Sequence, residues 1–382
     1  MDKTLFLLIS VFYAQSIFAQ IENSIYELNH LNDLITEPVQ EIIDKNINGI
    51  QTVFLGEAVH YSGSDFLAKI EFVKYLVTKH NYKDIVFEGD FFALLFDHDK
   101  KNLYKMWSSS QQCEELFKFL DNQGVKIWGF DNRLAAPYTS ENLTNKLKAL
   151  LRQDGVELNR NFEGLVNTII ENEYKSRKKI SKAQLEFIDE YIKILIKNPL
   201  IESNPAWTQI IKSLKSAISL YTVKDNHSDK KRIAIRDKQM AKNLDFLVKQ
   251  NPNKKFIVWL ANAHMSKSNS KIINGLTMGY QFRELNPKTS YHIAIGSIQL
   301  PPRNEKEIRK ASKDSESILS ILPRLDKNYF VNTREITERN SDLNSRIFND
   351  SYIFNLASNK TKLLSHFDAL VFIAYGEEVK YY

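Results

Sequence analysis

One cysteine, Cys113, stands in 382 residues, so neither an internal disulfide nor a thiolate zinc site can form, and stability has to come from packing. Also missing are a Gly-x-Ser-x-Gly nucleophile elbow, a phosphate-binding Gly-Lys-Ser/Thr loop, a dinucleotide glycine fingerprint and a His-Glu-x-x-His pair. These absences disfavour a serine esterase of the α/β-hydrolase kind, and no cofactor is expected. Twelve glycines and nine prolines are ordinary for a globular chain and argue against fibre or disorder. Basic residues exceed acidic ones by six, but they are spread out, densest in Lys175–Lys182 and Lys224–Arg236. Neither run is interleaved with base-stacking aromatics. Both read as solvated helix faces, and nucleic acid is not an expected partner.

The apolar run from Leu5 to Phe18 is short for a membrane span. With Ala19 after it, the run reads as a signal peptide over residues 1–19, with a mature chain starting at Gln20. Ile17, three before the cut, is bulkier than usual there, and a retained anchor is the alternative reading. Cleavage implies export, periplasmic or secreted, with no stable membrane insertion afterwards.

Short apolar runs recur at Thr52–Leu55, Asp84–Phe87, Lys126–Phe130, Lys255–Leu260, His292–Ile298 and Ala369–Ala374. Each is bounded by polar or turn residues, as strands are. Near-continuous apolar character means both faces are covered, which favours a mostly parallel sheet between helices. Phe66, Ile70, Val73, Leu76 and Val77 recur at helical spacing between the first two runs, and Glu114–Leu120 does the same between the next two. From about 140 to 250 the periodicity is helical throughout. The expected architecture is one α/β domain over residues 20–382, with an inserted all-helical lobe over the strand C-terminal edge. Residues 301–360 are polar and irregular and carry no assignment.

The residues just past each strand matter most. Gly56-Glu57-Ala58-Val59-His60, Glu88-Gly89-Asp90, Asp131-Asn132-Arg133 and Ala261-Asn262-Ala263-His264 each continue a buried run. In an open parallel sheet these ends share one edge, where ligands bind. A histidine beside carboxylates can act as a general base at neutral pH, and a second imidazole, an arginine or an amide can stabilise developing negative charge. The same donors could hold a metal, and the residues alone do not choose. Singly, each has a duller reading as a capped turn or a hydrogen-bonded core histidine. Glu88 resists it, because a carboxylate continuing a buried strand needs a partner.

Seven segments, in order, resemble the erythromycin esterase family: Phe54–His60, Ile85–Asp90, Gly129–Arg133, Arg236-Asp237 with Met240–Asn243, Val258–His264, Met278–Tyr280 and Phe367–Ala369. The resemblance implies ester hydrolysis by water activated on His60, with Glu57 and Glu88 orienting the base or the water. It implies charge stabilisation or substrate positioning by Arg236 and His264, and a pocket shaped by Asp131, Asn132, Asn262 and Lys69. No metal is assigned. Three departures stand out: Tyr61 where the family has Gly, Ala261 where it often has a further His, and Lys69 in place of an Arg. They argue against macrolide ring opening as the native activity. The expected partner is a small ester or lactone. A metal-dependent hydrolase or peptidase, or a binding protein that has lost catalysis, are the alternatives.

Overall fold

A computed structural model of the chain describes residues 21–172, 180–222, 229–268, 276–349, 351–354 and 360–382. The expected signal peptide, residues 1–19, and much of both basic runs lie outside them. Ten strands form. They are β1 (Ile25–Leu28), β2 (Thr52–Glu57), β3 (Asp84–Asp90), β4 (Lys126–Asp131), β5 (Phe256–Ala261), β6 (Ser290–Gln299), β7 (Asn328–Val331), β8 (Phe348–Asn349), β9 (Lys360–Thr361) and β10 (Ala369–Tyr375). Eight of them make one sheet in the order β1-β7-β10-β6-β2-β5-β3-β4, while β8 and β9 pair separately.

The six strands from β10 to β4 are mutually parallel, and β7 runs antiparallel to both β10 and β1. These six are the runs expected from sequence. The chain is a mixed α/β protein with a mostly parallel central sheet flanked by helices. Alternation along each strand divides the core between two faces. Phe54, Val86, Phe130 and Val258 point to one side, and Val53, Leu55, Ile85, Phe87 and Trp259 to the other.

On the second side pack the helices Gly63–His80 and Gln111–Asn122, through Phe66, Val73, Leu76 and Leu116. The first is capped by Ser62, which accepts from the Asp65 amide, and stops at Asn81 in the left-handed conformation, which Asn tolerates better than most residues. Between β4 and β5 the described residues form only helices, from Pro137 to Gln250. Leu143, Ile188, Ile211 and Leu244 join them to the first face, where apolar burial holds them. The last of these helices, Asp229–Gln250, ties back to the sheet edge through Asn243, whose amide donates to the Phe130 carbonyl (3.0 Å). No helix among the described residues is long and apolar enough to cross a membrane.

Candidate active site

Four adjacent strands, β2-β5-β3-β4, bring their carboxyl ends together, so Glu57, Ala261, Glu88 and Asp131 share one edge although they are far apart in sequence. Each of β2, β3 and β4 runs on through its carboxylate. The acids are therefore held by sheet backbone rather than by loops, which fixes them more rigidly.

Glu57 is fully buried and meets two partners. Its Oε1 lies 3.0 Å from His60 Nδ1, and its Oε2 pairs with Lys69 Nζ from the Gly63–His80 helix. Lys69 is itself buried, donates to the Leu260 carbonyl (3.2 Å) and sits 3.9 Å above the Trp259 ring, a cation–π contact. A carboxylate at Nδ1 fixes the tautomer with the proton there and leaves Nε2 as the basic nitrogen. The His60 side chain is 46% exposed, and the edge of Trp107 lies against its ring (6.3 Å between centroids). Burial alone would lower the His60 pKa, but the hydrogen bond and charge of Glu57, with the charge of Glu88, carry it above the usual 6.5.

A second carboxylate–imidazole pair faces the first across Glu88. His264 Nδ1 lies 2.7 Å from Asp237 Oδ1, whose other oxygen accepts from the Met278 amide (3.0 Å). Two contacts pull Nε2 in opposite senses. Glu88 Oε1 at 3.6 Å favours a proton there, whereas Arg236 Nη1 at 3.2 Å can donate only to a bare nitrogen. Burial and Arg236 oppose protonation, yet the two carboxylates outweigh them and raise the His264 pKa to about 9. The balance favours the imidazolium, the form in which Arg236 Nη1 finds no lone pair on the ring.

Arg236 is the hub. Its Nη2 donates to Glu88 Oε1 (2.6 Å) and Asp131 Oδ2 (2.7 Å), and its Nε to Asp131 Oδ1 (3.0 Å). This two-point grip on Asp131 is one a lysine could not reproduce. Tyr104 also donates to Asp131 (3.1 Å). Glu88 accepts from the Ala261 amide (3.2 Å). Although burial pushes Glu88 up, His264, Arg236 and His60 together hold it well below the usual carboxylate range.

The structure thus joins His60, Glu57, Glu88, His264 and Arg236 in one edge cluster. The four residues expected to contact substrate are placed otherwise, all of them buried. Lys69 stands behind Glu57 and Asp131 grips Arg236. Asn132 donates to Ser216 (2.9 Å), anchoring a helix of the segment between β4 and β5. Asn262 donates to the Ile295 and Ile353 carbonyls (2.9 and 2.8 Å). Each is buried against protein partners, although Oδ1 of Asn132 and Oδ1 of Asn262 accept no hydrogen bond.

Asn262 also explains Gly56: a Cβ there would collide with Asn262 Oδ1 and come within 2.7 Å of Met265 Sδ. The amide cannot swing aside without giving up two buried bonds. Gly56→Ala is expected to cost about 1–3 kcal/mol, the usual range for overpacking, and chemical denaturation checks this; an unchanged midpoint would refute the crowding.

Two residues, Asp237 and Tyr104, have no role assigned from the sequence, although Asp237 stands in one of the family-like segments. Asp237 adjoins Arg236, and that neighbouring acid–base pair on one helix was the available signal. Tyr104 had none, since its partner lies 27 residues away. Among the described residues, no group of three or more His, Cys, Asp or Glu is arranged to hold a metal ion. The carboxylates here are already matched by Lys69, Arg236 and the imidazoles.

A parallel sheet whose carboxyl edge carries two carboxylate–imidazole pairs around a clamped guanidinium has the equipment of an acid–base enzyme. The chain belongs to the erythromycin esterase family, whose model matches residues 77–375; the match begins beyond Gly56–His60. A Bacillus subtilis (strain 168) protein named "Putative hydrolase YbfO" is 26% identical over 333 residues, 75% of this chain and 74% of that one. Two crystal structures share the fold. A succinoglycan biosynthesis protein superposes with a TM-score of 0.74 at 16% identity, covering 96% of this chain and 98% of its own. A variant of the erythromycin esterase EreC in its open conformation gives 0.69 at 16%, covering 93% and 98%.

Proposed function

We propose that the protein is a hydrolase that cleaves a small-molecule ester or lactone by water activated on His60. The observation that carries this reading is the Glu57–His60 contact at 3.0 Å, on a side chain open enough to meet solvent and substrate. His60 Nε2 takes a proton from water as the oxygen attacks the acyl carbon. The negative charge on the former carbonyl oxygen is met by Arg236 and the His264 imidazolium. On collapse the acyl–oxygen bond breaks, and His60 returns the proton to the departing alkoxide, giving acid and alcohol. General base catalysis contributes roughly 10²–10⁴-fold, and a charge-stabilising donor roughly 10²–10³-fold.

The test is hydrolysis by the purified protein of a panel of simple esters, lactones and a macrolide, beside His60→Ala and with a chelator arm. Activity lost only in the variant supports direct water activation. Activity lost in chelator replaces it with a metal-dependent reaction, and ligand retention without turnover replaces it with a binding role.

Export is part of the same proposal, motivated by the apolar run and Ala19. N-terminal sequencing of protein recovered outside the cytoplasm is expected to begin at Gln20; an intact Met1 there would refute cleavage.

A further inference from the structure

We propose that the C-terminal segment Glu377–Tyr382 is a strap that positions His60 by tying the loop carrying it to the segment that bears Trp107 and Tyr104. The inference rests on His60 as the base, and it goes beyond that reading by assigning a positioning role to residues remote in sequence and past the end of the family match at 375.

After β10 the chain crosses the amino end of the helix that follows His60. The Glu377 carbonyl accepts from the Gly63 amide (2.8 Å), and Val379 donates to the carbonyl of Tyr61, the residue next to His60 (2.9 Å). Ser62 and Glu378 form a β-bridge. On its other side the strap holds the segment that follows Trp107. The Lys380 carbonyl accepts from the Gln111 amide (2.8 Å), and Ser110 and Tyr381 form a second bridge. Gln112, buried between the two, is the pin. Its amide donates to Glu377 Oε1 (3.1 Å) and the Glu378 carbonyl (3.2 Å), and its Oε1 accepts from the Lys380 amide (3.0 Å).

The two segments so joined carry the groups flanking the base. One bears His60, and the other bears Trp107, whose edge meets the His60 ring, and Tyr104, which donates to Asp131. The strap makes backbone bonds to both segments and so helps to set their spacing. Gly63 permits the close crossing: a Cβ there would lie 2.7 Å from Gln112 Nε2 and 2.8 Å from the Glu378 carbonyl oxygen, and backbone cannot yield cheaply.

Three variants loosen the strap without touching the acid–base residues: a chain ended at Gly376, Gly63→Ala and Gln112→Ala. Each is expected to lower kcat on a cleaved ester by about 10- to 100-fold, the scale of a misplacement near 1 Å, with KM changed less than about threefold. Each should also shift the His60 imidazole titration, followed by NMR and assigned against His60→Ala, down toward 6.5 as the Glu57 contact loosens. Wild-type kcat in all three overturns the proposal, as does a lower kcat with the His60 titration unmoved, which marks a merely structural role. If the shortened chain does not fold, the two point variants decide. The titration reads the strap even where His60 is not the base, a separate failure seen as full activity in His60→Ala.

Discussion

His60→Ala is expected to lower kcat/KM for a cleaved ester by about 10²–10⁴ while costing no more than about 1–3 kcal/mol of stability, so that the variant still folds. The two effects separate because of where the ring stands. Its side chain is nearly half exposed, and although Glu57 loses the partner of its Oε1 it keeps Lys69 on Oε2. The pH profile carries the same argument. His60 is a base only when neutral, and Glu57 and Glu88 set its pKa above 6.5, so activity should rise with pH through a midpoint above that value. Loss of the His264 imidazolium near pH 9 should bring it down again. Because the two rings share Glu88, the limbs of this bell belong to the pair. A flat profile from pH 6 to 10 would sink the assignment, as would a wild-type rate in the variant.

Arg236→Ala should be the most damaging single change to the fold and to the chemistry together. It leaves Glu88 and Asp131 buried without their shared cation, and breaking a buried pair from one side costs on the order of 3–5 kcal/mol. Arg236→Lys keeps the charge but not the fork and should fall between. The pH dependence of stability gives an independent check. Glu88 is held below the ordinary 4.5 in the folded chain, so as pH falls the unfolded state binds protons first. The stabilisation is full above about 4.5 and is lost as pH drops through the folded value. In Arg236→Ala much of that acid-side loss should vanish, since the variant never had the stabilisation to lose. Urea titrations at pH 4 and 7 measure both; an equal pH 4–7 difference in wild type and variant would refute the linkage.

The six parallel strands were legible because burial on both faces leaves continuous apolar runs. β1 and β7 were not: only Leu28 of Ile25-Tyr26-Glu27-Leu28 is buried at the sheet edge, and Asn328–Val331 is four residues long. Strand ends were misjudged where the chemistry lies. The apolar runs stop at Leu55, Phe87 and Phe130, while the strands continue through Glu57, Asp90 and Asp131. A carboxylate ends a hydrophobic pattern without ending the backbone ladder. The cluster of site residues was foreseeable because parallel strands share an edge, but their pairing was not. Whether Lys69 meets substrate or Glu57 depends on the angle at which one helix crosses the sheet, and Asp131, Asn132 and Asn262 turn inward for similar reasons. The region 301–360 resisted reading because its helices run only four to eight residues, too few for a period to show.

The strand order also sets a timetable. β5 lies between β2 and β3, and Arg236 is 148 residues beyond the Glu88 it neutralises. During synthesis at about 5–20 residues per second, the amino-terminal strands wait roughly 7–30 s for the guanidinium and somewhat longer for the strand that fills the gap between them. Until then β2 and β3 have no common neighbour and the edge carboxylates must keep their water. The first half of the polypeptide cannot close as an autonomous unit, and a ribosome stalled between Asp131 and Arg236 would hold an open half-sheet with unpaired edges, the form most in need of a chaperone.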